Sequence, residues 1–275
     1  KVLPEHNIDY LYYCIESNIV QYQIRRKTKG AGQATITVED IREFRIPLPP
    51  LEVQSEIVKI LDNFTELTAE LTAELTAELT ARKKQYEYYR DELLSFGDEV
   101  ELKSLGEVCR LVTGATPSKT KNEYWDNGNI PWMSSGEVNL KYVFSTENFI
   151  TQLGYDNSST TLVPIHSIVI ALAGQGKTRG KVAITEIELC TNQSLCSMIC
   201  TELINYKYLY YYLDGKYNEL RAISNGDGTR GGLSLRILSP YKIPVPPLEE
   251  QERIVKILDR FDKLCNDISE GLPAE

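Results

Sequence analysis

The sequence is poor in the residues that metal and thiol chemistry draw on. Only His6 and His166 are histidine, and the six cysteines (Cys14, Cys109, Cys190, Cys196, Cys200 and Cys265) include no CxxC pair. Neither a zinc site nor a disulfide framework is indicated, so the cysteines read as reduced, packed thiols. No run of eighteen apolar residues occurs, and Lys1 to Asp9 lack the apolar centre of a signal peptide. A membrane span and a secretory leader are therefore not expected, and the expected location is the cytoplasm. A surplus of positive charge is missing as well, the net charge being -9 over 275 residues. That length can bury the core of one large domain or two modest ones.

The negative charge is unevenly placed. Counting Lys and Arg against Asp and Glu gives +1 for residues 1–48, -7 for 49–99, +1 for 100–245 and -4 for 246–275. A polyanion such as duplex DNA would be repelled by the two acidic stretches. It could be met only by clustered Lys and Arg in the two near-neutral ones.

Self-comparison reveals an internal repeat. Tyr10-Leu-Tyr-Tyr13 recurs as Tyr208-Leu-Tyr-Tyr211, and Ile46-Pro-Leu-Pro-Pro-Leu-Glu-Val-Gln54 matches Ile243-Pro-Val-Pro-Pro-Leu-Glu-Glu-Gln251. Ile57-Val-Lys-Ile-Leu-Asp62 returns letter for letter at Ile254 to Asp259, and the offset changes only from 198 to 197 residues. Two copies of one unit are thus present, the first lacking its beginning. In each, the Pro-Pro pair suits a helix entrance, and the segment after it is amphipathic: Ile57, Ile60, Leu61 and Phe64 in one, Ile254, Ile257, Leu258 and Phe261 in the other. The first helix is expected to continue to about Phe96. It passes through Thr-Ala-Glu-Leu tetrapeptides whose leucines, Leu67, Leu71, Leu75 and Leu79, form a stripe that drifts about 40° per repeat around the helix. A generic coiled-coil stalk is the plainer account of that segment.

Residues 100–245 alternate short β-rich runs with Gly, Asn, Ser and Thr turns, plus a Tyr-rich helix near 205–222, as expected of a compact α+β domain. Ala171-Leu-Ala-Gly-Gln-Gly-Lys-Thr178 misses a phosphate-binding P-loop by one residue. That loop requires a helix starting at Lys-Thr, and here Arg179-Gly180 leads into another β-like run. The segment reads better as a turn presenting Gln175, Lys177, Thr178, Arg179 and Lys181 outward to a partner's phosphates. Other polar loops share its character. They bring Lys119, Lys121 and Asn122 after Thr113-Gly-Ala-Thr-Pro-Ser118, Ser134 and Ser135 after Trp132, and Thr229 and Arg230 within Asn225–Gly232. Lys and Arg there would neutralise phosphates, and Asn, Gln, Ser and Arg could read base edges. Ordinary solvated turns over a core containing Trp125 and Trp132 would carry the same letters.

These motifs together resemble the specificity subunits of type I restriction–modification systems: TGATPS early in the β-rich domain, GQGKTRGK in its middle, then IPVPPLEEQERIVKILD and a long helix. The resemblance covers essentially the whole chain. It implies an α+β fold in which a β-rich target-recognition domain, 100–245, accompanies a long antiparallel coiled-coil helix pair, 49–99 and the start of a second helix at 246–275. Residues 1–48 would be the remnant of another recognition domain. The leucine stripe, with Ile257, Leu258 and Phe261, would form the spacer. Double-stranded DNA would be the ligand, and modification (methyltransferase) and restriction (translocase-nuclease) subunits the partners. No catalytic or metal site is expected in this chain, and S-adenosylmethionine, ATP and Mg²⁺ would act on the partner subunits. One recognition domain reads one half-site, so a second copy paired through the helices, or a separate partner, would be needed for a whole site. A coiled-coil adaptor without DNA binding and a P-loop-like nucleotide-binding protein are the alternatives.

Overall fold

The computed structural model describes residues 6–28, 35–174, 178–224 and 232–270, with side chains to 264 at the C-terminal end. The chain forms two compact units, one within Lys1–Glu78 and one within Leu79–Glu270.

The first unit is helical. Helix α1 (Ile8–Glu16) starts at Asn7, whose side chain accepts from the amides of Asp9 and Tyr10, an N-cap that satisfies two otherwise orphan donors. It is followed by α2 (Asn18–Lys27) and by the short α3 (Val38–Arg42), which opens on a Thr37/Asp40 capping box. Helix α4 (Leu51–Leu93) begins directly after Pro49-Pro50, as the imino acids' fixed φ favours, and runs for 43 residues. Within the tetrapeptide region Thr68, Thr72 and Thr76 each donate a hydroxyl to the carbonyl one turn back. These bonds satisfy the hydroxyls within the helix's own turns, although such back-bonding does not in itself strengthen a helix.

The second unit is α+β. In chain order it comprises β1 (Leu102–Ser104), α5 (Leu105–Val108), β2 (Cys109–Thr113), β3 (Ile130–Met133), β4 (Tyr142–Val143), β5 (Asn148–Ile150), α6 (Gln152–Asp156), β6 (Ile168–Ala171), β7 (Val182–Thr185), β8 (Cys190–Thr191), β9 (Leu195–Cys200), α7 (Tyr206–Gly215), α8 (Tyr217–Ala222), α9 (Leu235–Leu238), β10 (Lys242–Pro244) and α10 (Leu248–Glu270). The main sheet has the order β2-β9-β6-β7-β4, antiparallel except for the parallel β4–β7 pair. A second sheet, β5-β3-β8, and the small β1–β10 pair complete the strands. Pairing β1 with β10 ties the start of this unit to its end.

Strands β6 and β7 are buried on both faces, and the two-residue period sorts their side chains. Ile168, Ile170, Val182 and Ile184 join the cluster that holds Tyr208, Leu209, Leu213 and Leu258. Val169, Ala171 and Ala183 face the other way, toward Met133, Val138, Val163 and Leu189. The tyrosine-rich segment is two helices, α7 and α8, divided at Lys216 rather than one continuous element. All six residues from Tyr208 to Leu213 are buried. The last turns of α4 enter this core through Tyr86 and Leu93, and Tyr89 stacks on Phe261 of α10 at 5.4 Å.

Each unit contains the same hydrogen-bonded clamp. In the second, Tyr208 Oη donates to Pro244 O, Asn205 N donates to Gln251 Oε1, Gln251 Nε2 donates to Pro246 O, and Tyr211 Oη donates to Asp259 Oδ1. In the first, Tyr10 bonds Pro47, Asn7 bonds Gln54, Gln54 bonds Pro49 and Tyr13 bonds Asp62 in the same senses. Gln54 and Gln251 are buried, at 1% and 0% exposure, because each satisfies backbone groups that the preceding prolines leave irregular. The sequence repeat is thus a repeat of one side-chain network that fixes a short tyrosine helix to the first turns of a long one.

Candidate nucleic-acid interface

The Thr113–Ser118 motif builds a pinned loop. Gly114 passes so close to β8 that a Cβ there would lie 1.9 Å from Thr191 O, which excludes every larger residue. Ala115 N then donates to Thr191 O at 3.0 Å. Two indoles hold the rest: Trp132 Nε1 donates to Ala115 O at 3.0 Å and Trp125 Nε1 to Ser118 O at 3.1 Å. The rings meet edge to face, 5.1 Å apart, over Ile150 and Cys190. Trp125 and Trp132 are therefore a small core of their own, and their polar edges serve to fix the loop.

Beyond Ser118 the loop presents its polar residues. Lys119, Lys121 and Asn122 are exposed. Lys121 Nζ donates to Tyr124 Oη at 2.8 Å and lies 4.8 Å from the centre of that ring. The hydrogen bond raises its pKa, so Lys121 stays cationic well past neutrality. A cleft of about 550 Å³ lies beside the loop and is lined by Thr116, Lys119, Asn122, Ser134, Asn192 and Gln193 among others. Ser134 is half-buried, its amide donating to Glu137 Oε2 at 2.6 Å. Ser135, also half-buried, opens the following 3₁₀ turn. The structure thus brings Lys119, Asn122 and Ser134 to one concavity.

The β6–β7 connection differs from expectation at one residue. Thr178 and Lys181 are half-buried, whereas Arg179 is only 6% exposed, so it is not presented outward. The turn is too tight for that. Gly180, at φ +84°, donates to Ala171 O, and Lys181 N returns to Thr178 O, which folds Arg179 back against the unit. Lys181 Nζ donates to Asn139 Oδ1 at 2.7 Å. After Thr178 the chain enters β7 and not a helix, so no dipole is aimed at a phosphate there, and the P-loop reading loses its physical basis. Gln175, Lys177, Thr229 and Arg230 lie outside the described residues.

A second cleft of about 550 Å³, which includes Lys181, Lys141, Arg90 and Asp214, is a poorer anion site because its charges are answered internally. Arg90 pairs with Asp91 and with Asp214, and Lys141 with Asp262. Burial pushes the Asp214 carboxyl up, opposed by Arg90 at 3.3 Å. The buried thiols are inert for a related reason: desolvation lifts Cys190 to about 11 and Cys196 to about 12. Among the described residues, no group of three or more His, Cys, Asp or Glu is placed to hold a metal ion, and no helix is long and apolar enough to cross a membrane.

Along α4, Leu67 and Leu71 are 60% and 56% exposed, Leu75 is half-buried and Leu79 is buried. On α10, Leu258 is fully buried while Ile257 and Phe261 are half-buried. Sequence reasoning missed Thr116, Asn148, Asn192 and Gln193, which also line the loop's cleft. Three of them come from β5 and from the turn before β9, and only strand pairing reveals that they face the Thr113–Asn122 loop.

The family model of the type I restriction modification DNA specificity domain matches residues 1–81 and 97–275. The chain is 44% identical over 250 residues to the EcoR124I/EcoR124II type I restriction enzyme specificity subunit of Escherichia coli, an alignment of 86% of this chain and 60% of that one. It is 36% identical over 263 residues to a putative type I restriction enzyme specificity subunit of Haemophilus influenzae, over 89% and 62% of the two chains. It thus spans about three fifths of the length of these curated relatives. The fold is shared with the HsdS subunit of Thermoanaerobacter tengcongensis, at 20% identity and a TM-score of 0.61 over 98% of this chain and 66% of that one. A solved chain from a study of complex assembly in the type I R-M system gives a TM-score of 0.76 at 19% identity, over 97% and 66%.

Proposed function

Because the chain belongs to the type I restriction–modification DNA specificity family, we propose that its second unit reads one half of a bipartite duplex DNA site without catalysing any reaction. The observation that carries this reading is the pinned loop: Lys119, Lys121 and Asn122 stand exposed beside a polar cleft, on a segment fixed by two indole N–H groups. Phosphate contacts by the lysines position the duplex, and side chains in the cleft meet base edges. The Arg179 side chain belongs to the packing of the turn, and Lys181 stands at its rim.

The partners are modification and restriction subunits, which supply S-adenosylmethionine, ATP and Mg²⁺ chemistry in the cytoplasm. Helix α4 is the spacer. One Thr-Ala-Glu-Leu unit lengthens it by about 6 Å and turns it by about 40°, on the scale of one to two base-pair steps. The exposed Leu67 and Leu71 suit a helix supplied by a second copy, and in that arrangement two recognition units read a symmetric split site.

Mapping methylated sites in cells that express the chain with its modification subunit tests these statements together. A palindromic split site is expected for the paired arrangement. Deletion of Thr72 to Leu75 should shorten the gap between half-sites, and an unchanged gap would remove the spacer role. Lys119→Ala should weaken binding to all duplexes alike and lower the salt slope by about one ion.

A further inference from the structure

Four carboxamides line the cleft beside the pinned loop, and the fold uses them unequally. Asn192 Oδ1 accepts from Ser194 N at 2.9 Å and so shapes the turn before β9. Gln193 Oε1 accepts from the Thr116 hydroxyl and so ties that turn to the loop. Asn122 and Asn148 are different. Both are exposed, and neither side chain makes a hydrogen bond within the described residues. One sits at the end of the indole-held loop, the other on β5, whose register with β3 sets Asn148 opposite Trp132.

A free carboxamide offers one acceptor and one donor side by side in a plane, the complement of adenine's N6–H and N7 in the major groove. Guanine presents two acceptors there, which suits a cation better, and a phosphate offers acceptors only. The lysine that lines the cleft, Lys119, is exposed and suited to the phosphate backbone. An isolated surface asparagine would carry no argument. Here two unengaged carboxamides converge on one concavity from separate elements whose backbones are fixed, so binding has only their side-chain rotamers left to order.

We infer that Asn122 and Asn148 are specificity-determining residues that read adenine through its major-groove edge, while Asn192 and Gln193 shape the cleft. This rests on the reading of the chain as a DNA-recognition subunit and names what one part of it recognises.

The test uses the full chain in complex with its modification subunit and the duplex target found by methylation mapping. Each adenine of the half-site is replaced in turn by 7-deazaadenine, which lacks the N7 acceptor. At one adenine or more, the native complex should lose about ten- to a hundredfold in affinity, the scale of one good bidentate base contact. Asn122→Ala or Asn148→Ala should show the same loss on natural DNA and no further loss at the matching 7-deaza position. Asn122→Asp, which keeps the shape but removes the donor, should behave like the alanine variant. Affinity for unrelated duplex should not move. If every 7-deaza duplex binds normally, or if the Asn122→Ala/Asn148→Ala double variant keeps its base preference at every position, the inference is overturned. A native complex with no sequence preference at all would instead overturn the DNA-recognition reading, so the two failures are distinguishable.

Discussion

The two clamps use the same residues and the same bonds in different surroundings. In the second unit the main sheet covers the tyrosine helix, and Tyr210, Leu213, Leu220 and Leu238 are all at least nine-tenths buried. In the first unit the equivalent positions, Tyr12, Ile15, Tyr22 and Ile41, stand 60%, 50%, 60% and 52% exposed. Yet Tyr10 still reaches Pro47 and Gln54 still joins Asn7 to Pro49. The clamp therefore orders the short helix on the long one without help from a sheet, and burial under the sheet is an added layer of stability. Charge differs as well. Lys207 pairs with Asp259 at 2.7 Å in the second copy, where the first has Asp9.

The largest contrast should come from the covered face. Leu213→Ala should cost about 2–5 kcal/mol of stability by opening a cavity, whereas Ile15→Ala should stay within about 0.5 kcal/mol. Urea unfolding of the two variants measures both, and equal losses would break the distinction between a covered and an open copy. Next come the clamp glutamines. Gln251→Ala strands partners at Asn205, Leu203 and Pro246 and should cost about 2–4 kcal/mol, against about 1–2 kcal/mol for Gln54→Ala, which strands two. Hydrogen exchange of α7 and α1 amides would resolve each locally.

Smaller is the tyrosine pair. Tyr211→Phe removes a partly buried bond to a carboxylate and should cost about 1.5–3 kcal/mol, whereas Tyr13→Phe, at an exposed bond, should change little. The smallest effect is pH-dependent. Burial alone would lower the Lys207 pKa, but Asp259, together with Tyr142 and Tyr206, outweighs it and the value is raised. The pair's contribution is thus complete below the lysine's unfolded pKa and is lost as pH rises through the folded one. The lysine's share of the alkaline limb in α7 exchange should be at most about 1 kcal/mol, read as the part lost in Lys207→Ala on top of the limb that the raised Tyr208, Tyr210 and Tyr211 hydroxyls contribute. Helix α1, with Asp9 at that position, should lack the lysine's share and keep only that of its own tyrosines.

The sequence repeat made the clamp's frame readable, since Tyr10/Tyr208 and the Pro-Pro-Leu-Glu-x-Gln runs recur at near-constant offset. The clamp itself was less readable. Asn7 and Asn205 stand three residues before those tyrosines at the same offset, a signal that was present, but their bonds to Gln54 and Gln251 span 47 and 46 residues. The α+β class followed from short β-rich runs set between turn residues, and the long helix from the Pro-Pro entrance and the apolar spacing after it. Arg179 misled because a glycine-rich, basic turn reads as an outward loop, while the Gly180-to-Ala171 bond turns the preceding side chain inward. Asn148 and Gln193 left no local trace, because their meeting with Asn122 is a product of sheet topology.

The threonine bonds of α4 have one more consequence. Each Thr-Ala-Glu-Leu unit brings its own hydroxyl, which bonds to the carbonyl one turn back. A unit gained or lost therefore leaves every remaining turn as it was. A copying slip in the stretch of gene that encodes one unit would pass through the folding process unnoticed and emerge as a helix of another length. Length is thereby a dimension of this helix that its own local bonds leave unfixed.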